Sequence, residues 1–183
     1  MRIITGSARG TRLMTLEGEE TRPTADRAKE AIFSMIQFDI DGRKVLDLFS
    51  GSGQLALEAL SRGASEAVCI DSNPAAVKII KANAEKIHFS DRCTVLNSEW
   101  KAYVKTHGGE KYGIIFIDPP YEAALCADAV KRLNENDMIA DHAMIICESG
   151  SDEYIVGQGL KILRHVKYGR AYVTLLTKES EGI

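Results

Sequence analysis

From Lys44 onward the apolar positions switch repeatedly between a period of two and a period near 3.6. "KVLDLF" reads as a buried strand, followed by a helix from Gly53 to Arg62 that Gly63 closes. "EAVCID" is a second strand. Asn73-Pro74 then opens a helix whose Val77, Ile80, Ala84 and Ile87 share one face. "CTVLN" is a third strand, with a short helix from Trp100 to Thr106 behind it. Ile114 to Ile117 form a fourth strand, Ala123 to Leu133 a helix and "AMIICE" a fifth strand. Two last strands fall at Lys161–Val166 and Ala171–Leu176, with Gly169 in the turn between them. Ahead of this series, "RIITGSARGTRLMTL" predicts two short strands around a Gly/Ser turn. Just after Pro23, the spacing of Ala28, Ala31, Ile32, Met35 and Ile36 predicts an amphipathic helix.

Strands alternating with helices build a doubly wound α/β sheet, mostly parallel and covered on both faces. The closing pair, joined by a tight turn, must be antiparallel. The expected organisation is a hairpin-plus-helix extension over residues 1–43, a core over 44–177 and a tail over 178–183.

At 183 residues, 45% hydrophobic and 27% charged, the chain fits one globular domain with a small appendage. A net charge of −3 gives no broad pull towards nucleic acid, so such binding needs a local patch. Arg2, Arg9 and Arg12 form one acid-free cluster, and Lys161, Arg164, Lys167 and Arg170 form another. Cys69, Cys93, Cys126 and Cys147 are scattered through apolar stretches, which predicts buried free thiols in a reducing compartment. The four histidines are dispersed, so no metal centre is expected. Nothing resembles a signal peptide or a membrane span of ~18 residues, which points to a cytoplasmic protein.

Two stretches carry chemistry. In "LDLFSGSGQLA", Gly51 and Gly53 turn the chain sharply into a helix and leave room for a ligand at its N-terminus. Asp71, ending the next strand, can accept the two hydroxyls of a ribose. Gly51, Gly53 and Ala56 also satisfy the dinucleotide fingerprint, so a nicotinamide-dependent oxidoreductase is one reading. Against it, Asp47 puts a carboxylate at the strand end, which repels a pyrophosphate but suits an α-ammonium group. S-adenosyl-L-methionine fits better, with its methionine end by Asp47 and its ribose on Asp71.

The other stretch is "GIIFIDPPYEA". In a doubly wound sheet the first and fourth strands are neighbours, and ligands sit beyond their carboxyl ends. Asp118 would then face the glycine loop. Pro119 and Pro120 lack N–H groups and make a rigid turn, so the Asp118 carboxylate and the Pro119 carbonyl form a pair of acceptors beside the flat ring of Tyr121. Two acceptors gripping an aromatic amine pull its nitrogen towards tetrahedral geometry and aim its lone pair at a methyl donor.

"FSGSG" with "DPPY" resembles the class I methyltransferases that act on exocyclic amines of bases. "RIITGSARG", "RPTADRAKEAIF", "VLDLFSGSGQLALEALSRGA", "IIFIDPPY" and the late "YG" are similar to the bacterial RsmD-type family of 16S ribosomal RNA guanine-N2 methyltransferases, from Arg2 to about Leu176. The resemblance implies that Asp47, Phe49, Gly51 and Gly53 line the cofactor's methionine end and Asp71 its ribose. Ser98 or Glu99 would contact the adenine, and Asp118, Pro119, Pro120 and Tyr121 would hold the target amine. It also places Arg22 and Thr24 of "RPT" near the mouth of the site, although a helix-entry role accounts for them equally well. Arg2, Arg9 and Arg12, with Arg22 and Arg27, are the expected RNA contacts. The implied partner is 16S ribosomal RNA or a small-subunit assembly intermediate, with no metal and no obligate protein partner.

The rival with the same chemistry is a DNA adenine or cytosine amino-methyltransferase. Residues 1–43 are too few for a separate domain that reads duplex DNA. A protein-glutamine methyltransferase would be expected, by family resemblance, to carry Asn at position 118. A cofactor-binding interaction module without activity is disfavoured because every expected catalytic position is filled.

Overall fold

The structure is a computed structural model and describes residues 1–17, 23–120 and 123–179. Its elements are α1 (Pro23–Met35), β1 (Lys44–Asp47), α2 (Gln54–Ser61), β2 (Glu66–Asp71), α3 (Pro74–Lys86) and β3 (Cys93–Asn97). They are followed by α4 (Trp100–Thr106), β4 (Tyr112–Ile117), α5 (Ala123–Glu135), β5 (Ile139–Ser149), β6 (Leu160–Tyr168) and β7 (Ala171–Lys178). The strands form one sheet in the order β3-β2-β1-β4-β5-β7-β6. The first five in that order are parallel, while β7 runs antiparallel to both β5 and β6. Strand order reverses between β1 and β4, which makes the carboxyl ends of those two strands the expected ligand crevice.

Alternation along the strands divides the core. Val45, Cys69, Ile114 and Phe116 face the layer built by α1, α2 and α3. Leu46, Ile70, Ile115 and Ile117 face α4 and α5. The Phe33 ring of α1 lies 5.8 Å from that of Phe116. All four cysteines are buried free thiols, with Cys69 and Cys93 bringing their sulfurs to 3.9 Å across β2 and β3.

The N-terminal segment departs from the expected pair of strands. Its arms share a single antiparallel bridge, Arg2 to Arg12, rather than a ladder. The reason lies in where its amides go. Ile4 and Thr5 donate their N–H groups to the two oxygens of Glu58 at 2.7 and 3.0 Å, and Ser7 and Ala8 donate to the carbonyl and hydroxyl of Ser61. Gly6 permits this contact: its φ is +91°, and a Cβ there would sit 1.8 Å from the Ser61 carbonyl oxygen. The two arms still meet through Ile3 N–H to the Thr11 carbonyl (3.0 Å), Gly10 N–H to that of Ile3 (2.8 Å) and Leu13 N–H to that of Met1 (3.0 Å), but between those bonds the extension is fastened to α2.

Glu58 is wholly buried, and Lys29 of α1 is only 3% exposed. Lys29 Nζ reaches Glu58 at 3.1 Å, and Arg62 Nε does so at 2.8 Å. The Arg62 guanidinium also lies over the Phe33 ring, 4.6 Å from its centre. Lys29 pairs with Glu58 and Phe33 with Arg62, so α1 runs alongside α2 in the same direction. Its N-terminus therefore lies at the carboxyl end of the sheet. Burial lowers the proton affinity of the Lys29 amine, and the Glu58 charge opposes that shift.

Glu58→Ala should strand the buried Lys29 charge and three further donors. We expect a loss of roughly 3–5 kcal/mol in urea denaturation, with Glu58→Gln losing less because it keeps an acceptor. A Glu58→Ala midpoint equal to wild type would remove this contact from the account of the fold.

Candidate active site

The chain leaves β1 through a loop whose shape is set by two left-handed residues, Gly51 (φ 54°) and Gly53 (φ 79°). Side chains are also excluded sterically at Gly53, where a Cβ would lie 3.0 Å from Ile80 Cγ2. Ser50 N–H donates to the Ile70 carbonyl at 3.0 Å and Gly53 N–H to the Ser50 carbonyl at 2.7 Å, which closes the loop above α2.

Register brings the predicted carboxylates together. Asp47 pairs with Cys69 on β2 and with Phe116 on β4. Asp71 and Asp118 each lie two residues further along, hence on the same face of the sheet as Asp47. Three neighbouring strands thus deliver three carboxylates to one edge, on the side of α1 to α3.

Their surroundings differ. Asp47 is almost fully buried, and its carboxyl is pushed up to about 7, chiefly by desolvation and further by the Asp71 charge. The backbone N–H groups of Phe49 and Ala56 work against that shift. Asp71 is braced instead: its two oxygens accept the N–H groups of Gly51 (2.9 Å) and Asn73 (2.8 Å). This tie between ribose candidate and glycine loop was not visible in the sequence. Each oxygen keeps a second lone pair for a hydroxyl. Asp118 is half-buried, Pro119 buried and Pro120 exposed.

The other cofactor candidates surround the same edge. Phe49 is half-buried, with its ring tilted against that of Trp100 at 5.9 Å. Trp100 is buried and belongs to the core beneath the loop, which explains an indole at this position. Ser98 N–H donates to the Asp71 carbonyl at 3.1 Å, while its hydroxyl turns to the Glu99 carbonyl. Glu99 precedes α4 and is exposed, with its side chain capping nothing.

Of the expected RNA contacts, Arg2, Arg9, Arg12 and Arg27 are exposed, and Thr24 falls in the first turn of α1. Arg22 and Tyr121 lie outside the described residues. Asn83 joins the extension to the glycine loop. Wholly buried, it accepts from Met14 N–H at 2.7 Å and donates to the Met14 and Ser52 carbonyls at 2.9 and 3.0 Å. The second basic cluster is less free than its sequence suggested, since Lys161 pairs with Glu179 at 3.1 Å.

Sequence reasoning missed a fourth carboxylate. Ile117 pairs with Cys147 on β5, so Glu148 is level with Asp118 on the adjacent strand. It shares the face of Ile146, which packs in the α1–α3 layer. Its even spacing from Ile146 was the available signal. Among the described residues no cluster of His, Cys, Asp and Glu suits a metal ion, and no helix is long and apolar enough to cross a membrane.

Residues 1–177 match the family model described as conserved hypothetical protein 95. The chain is 32% identical to the putative rRNA methyltransferase YlbH of Bacillus subtilis, over 97% of this chain and 99% of that protein. It is 31% identical to the ribosomal RNA small subunit methyltransferase D of Escherichia coli K12, over 100% of this chain and 92% of that one. A solved structure described as the putative methyltransferase yhhF from Escherichia coli superposes with a TM-score of 0.88 at 30% identity, covering 99% of each chain.

The Asp47 environment predicts an inverse pH dependence. The folded chain holds this proton up to about 7, whereas the unfolded chain releases it near ~3.9. Between those values the folded state binds more protons, so stability of the ligand-free protein falls as pH rises. Asp47→Asn should flatten that fall between pH 4.5 and 7.5 in urea titrations. Identical slopes for the two proteins would show that Asp47 does not carry it.

Proposed function

The chain belongs to the conserved hypothetical protein 95 family and is a class I methyltransferase, and from that premise we propose that it methylates the exocyclic N2 of a guanine in 16S ribosomal RNA, in an assembling small subunit, using S-adenosyl-L-methionine. One observation carries the reading: the register that sets Asp47, Asp71 and Asp118 on one face of three adjacent strand ends. Two of them suit the cofactor's ends and the third stands opposite, where an amine must enter.

The residues fit that cofactor. Asp47 offers a buried carboxylate to an α-ammonium, and Gly51 and Gly53, both at positive φ, turn the loop back over the start of α2. Asp71 keeps lone pairs for ribose hydroxyls, Phe49 supplies an apolar wall, and Ser98 or Glu99 stands where an adenine edge would lie. Bound there, the sulfonium supplies a methyl group that needs no metal for activation.

The remaining work belongs to the chain. Asp118 and the Pro119 carbonyl accept the two N–H bonds of the target amine, and Tyr121 stacks on the base. Their grip redirects a lone pair that the ring would otherwise delocalise, and it stabilises positive charge growing on nitrogen. When the N–C bond has formed, the surplus amine proton passes to Asp118 or to water. The name of the Escherichia coli relative specifies small-subunit ribosomal RNA, and the exposed Arg2, Arg9, Arg12 and Arg27 offer phosphate contacts, with Arg22 a further candidate by sequence alone. A short basic cluster on a chain of net charge −3 gives modest affinity for naked RNA, so a pre-folded particle is the better substrate.

Asp118→Ala should lower single-turnover methyl transfer by at least ~10²-fold while cofactor affinity in calorimetry stays near wild type. Asp118→Asn should retain more activity, because its amide oxygen still accepts one hydrogen bond. Tritiated-methyl transfer to small-subunit particles, naked 16S RNA and genomic DNA, followed by nucleoside analysis, tests the substrate. The expected product is N2-methylguanosine, formed best on particles; label in DNA as N6-methyladenine would refute the reading.

A further inference from the structure

Four strand ends, in the spatial order β2, β1, β4 and β5, carry Asp71, Asp47, Asp118 and Glu148 on one face. The proposed function uses three of them. Glu148 stands one strand beyond Asp118 and at the same height, about 4.8 Å away along the sheet. Its neighbour on the far side, Val173 of β7, is apolar and buried. Among the described residues no cation and no donor engages the Glu148 carboxylate, although burial raises its proton affinity above the ordinary glutamate range. A side chain in that condition gains most from a donor brought by a ligand.

We propose that Glu148 reads the ring edge of the target base, accepting the N1–H of a guanine whose N2 amine is held by Asp118. The inference rests on the methyl-transfer reading of this site. It supplies something the relatives' names lack, a chemical basis for choosing guanine.

Three standard bases carry an exocyclic amine. In adenine the ring nitrogen beside the amine on the pairing edge is an acceptor, and in cytosine it is an acceptor too. Only guanine places a ring N–H beside its amine, so only guanine offers two adjacent donors. An ionised carboxylate is acceptor-only. Two carboxylates side by side on adjacent strands therefore match guanine and turn acceptor against acceptor for adenine or cytosine. Glutamate is longer than aspartate by one methylene, which suits the atom set further from the cofactor. The β4–β5 register fixes the spacing, so discrimination comes from the rigid sheet and not from a loop.

The test compares small-subunit particles assembled on 16S RNA with guanine or 2-aminopurine at the methylated position. The analogue keeps the 2-amine but has an acceptor at N1. Wild type should prefer guanine by roughly 10–100-fold in kcat/KM. Glu148→Gln, whose amide can donate to N1, should bring the two substrates within several-fold, chiefly through slower reaction of guanine. Glu148→Ala should lose the preference as well, with both substrates slow. Cofactor affinity and thermal midpoint of Glu148→Gln should stay near wild type, which separates base reading from loss of fold. An unchanged guanine preference in both variants overturns the assignment and leaves the proposed function standing. Absence of methyl transfer to guanine by the wild-type enzyme brings down both.

Discussion

A carboxylate with no access to water holds this molecule together. Burying an ion costs several kcal/mol unless its lone pairs are used, and Glu58 uses them on four donors: two backbone amides of the N-terminal arm, an ammonium from α1 and a guanidinium from its own helix. The donors arrive from three parts of the chain: the N-terminal arm, α1 and the next turn of α2. None of these elements can move without exposing the others' unmet charge. The helix that carries Glu58 begins at the glycine loop, so the anchor also fixes the base of the cofactor site. Asn83 repeats the arrangement with neutral groups, joining Met14 to the Ser52 carbonyl within the loop. Glu58 and Asn83 thus tie the extension to the helix and loop that form the site.

The sheet and its crevice were legible because their causes are local. β3 and α4 begin and end where the pattern put them, and Asn73 caps α3 through its side chain as its position before Pro74 implied. Asp47, Asp71 and Asp118 stood out as candidates because each follows an apolar run at a place where a charge needs a reason, and the register sets them on adjacent strands. β5 starts at Ile139, earlier than "AMIICE" indicated, since "ADH" reads as loop. Pairing with β4 overrides that reading through a register shift near Gly113, and His142 adopts a φ of 57°.

What escaped the sequence depends on partners far along the chain. Glu58 sits in a helix buried from Leu55 to Ser61, where no polar face marks it, and an acid in a helix ordinarily reads as solvated. Its partners are 29 to 54 residues away in sequence, except Arg62. The short pairing of the N-terminal arms has the same origin: the amides of Ile3, Gly10 and Leu13 cross between the arms, whereas those of Ile4, Thr5, Ser7 and Ala8 go to α2. Glu148 was hidden differently. It belongs to a strand that was assigned correctly, but its meaning lies in its height relative to Asp118, and height is a property of register alone.

The four carboxylates raise an electrostatic problem of their own. Like charges on adjacent strands repel, more so near a low-dielectric interior. The fold treats them unequally: Asp47 keeps its proton to about pH 7, whereas the two oxygens of Asp71 each accept a backbone N–H. Burial also favours the protonated form of Glu148. Positive charge or hydrogen-bond donors favour the ionised forms of Asp47 and Glu148, and the proposed reactants bring both. An α-ammonium and a sulfonium would enter beside Asp47, and the donor edge of a base beside Asp118 and Glu148. The ammonium would favour the charged form of Asp47, and the base's donor edge that of Glu148. Repulsion along the row becomes selectivity for a cationic cofactor and a donor-rich base, with no moving part beyond the protons themselves.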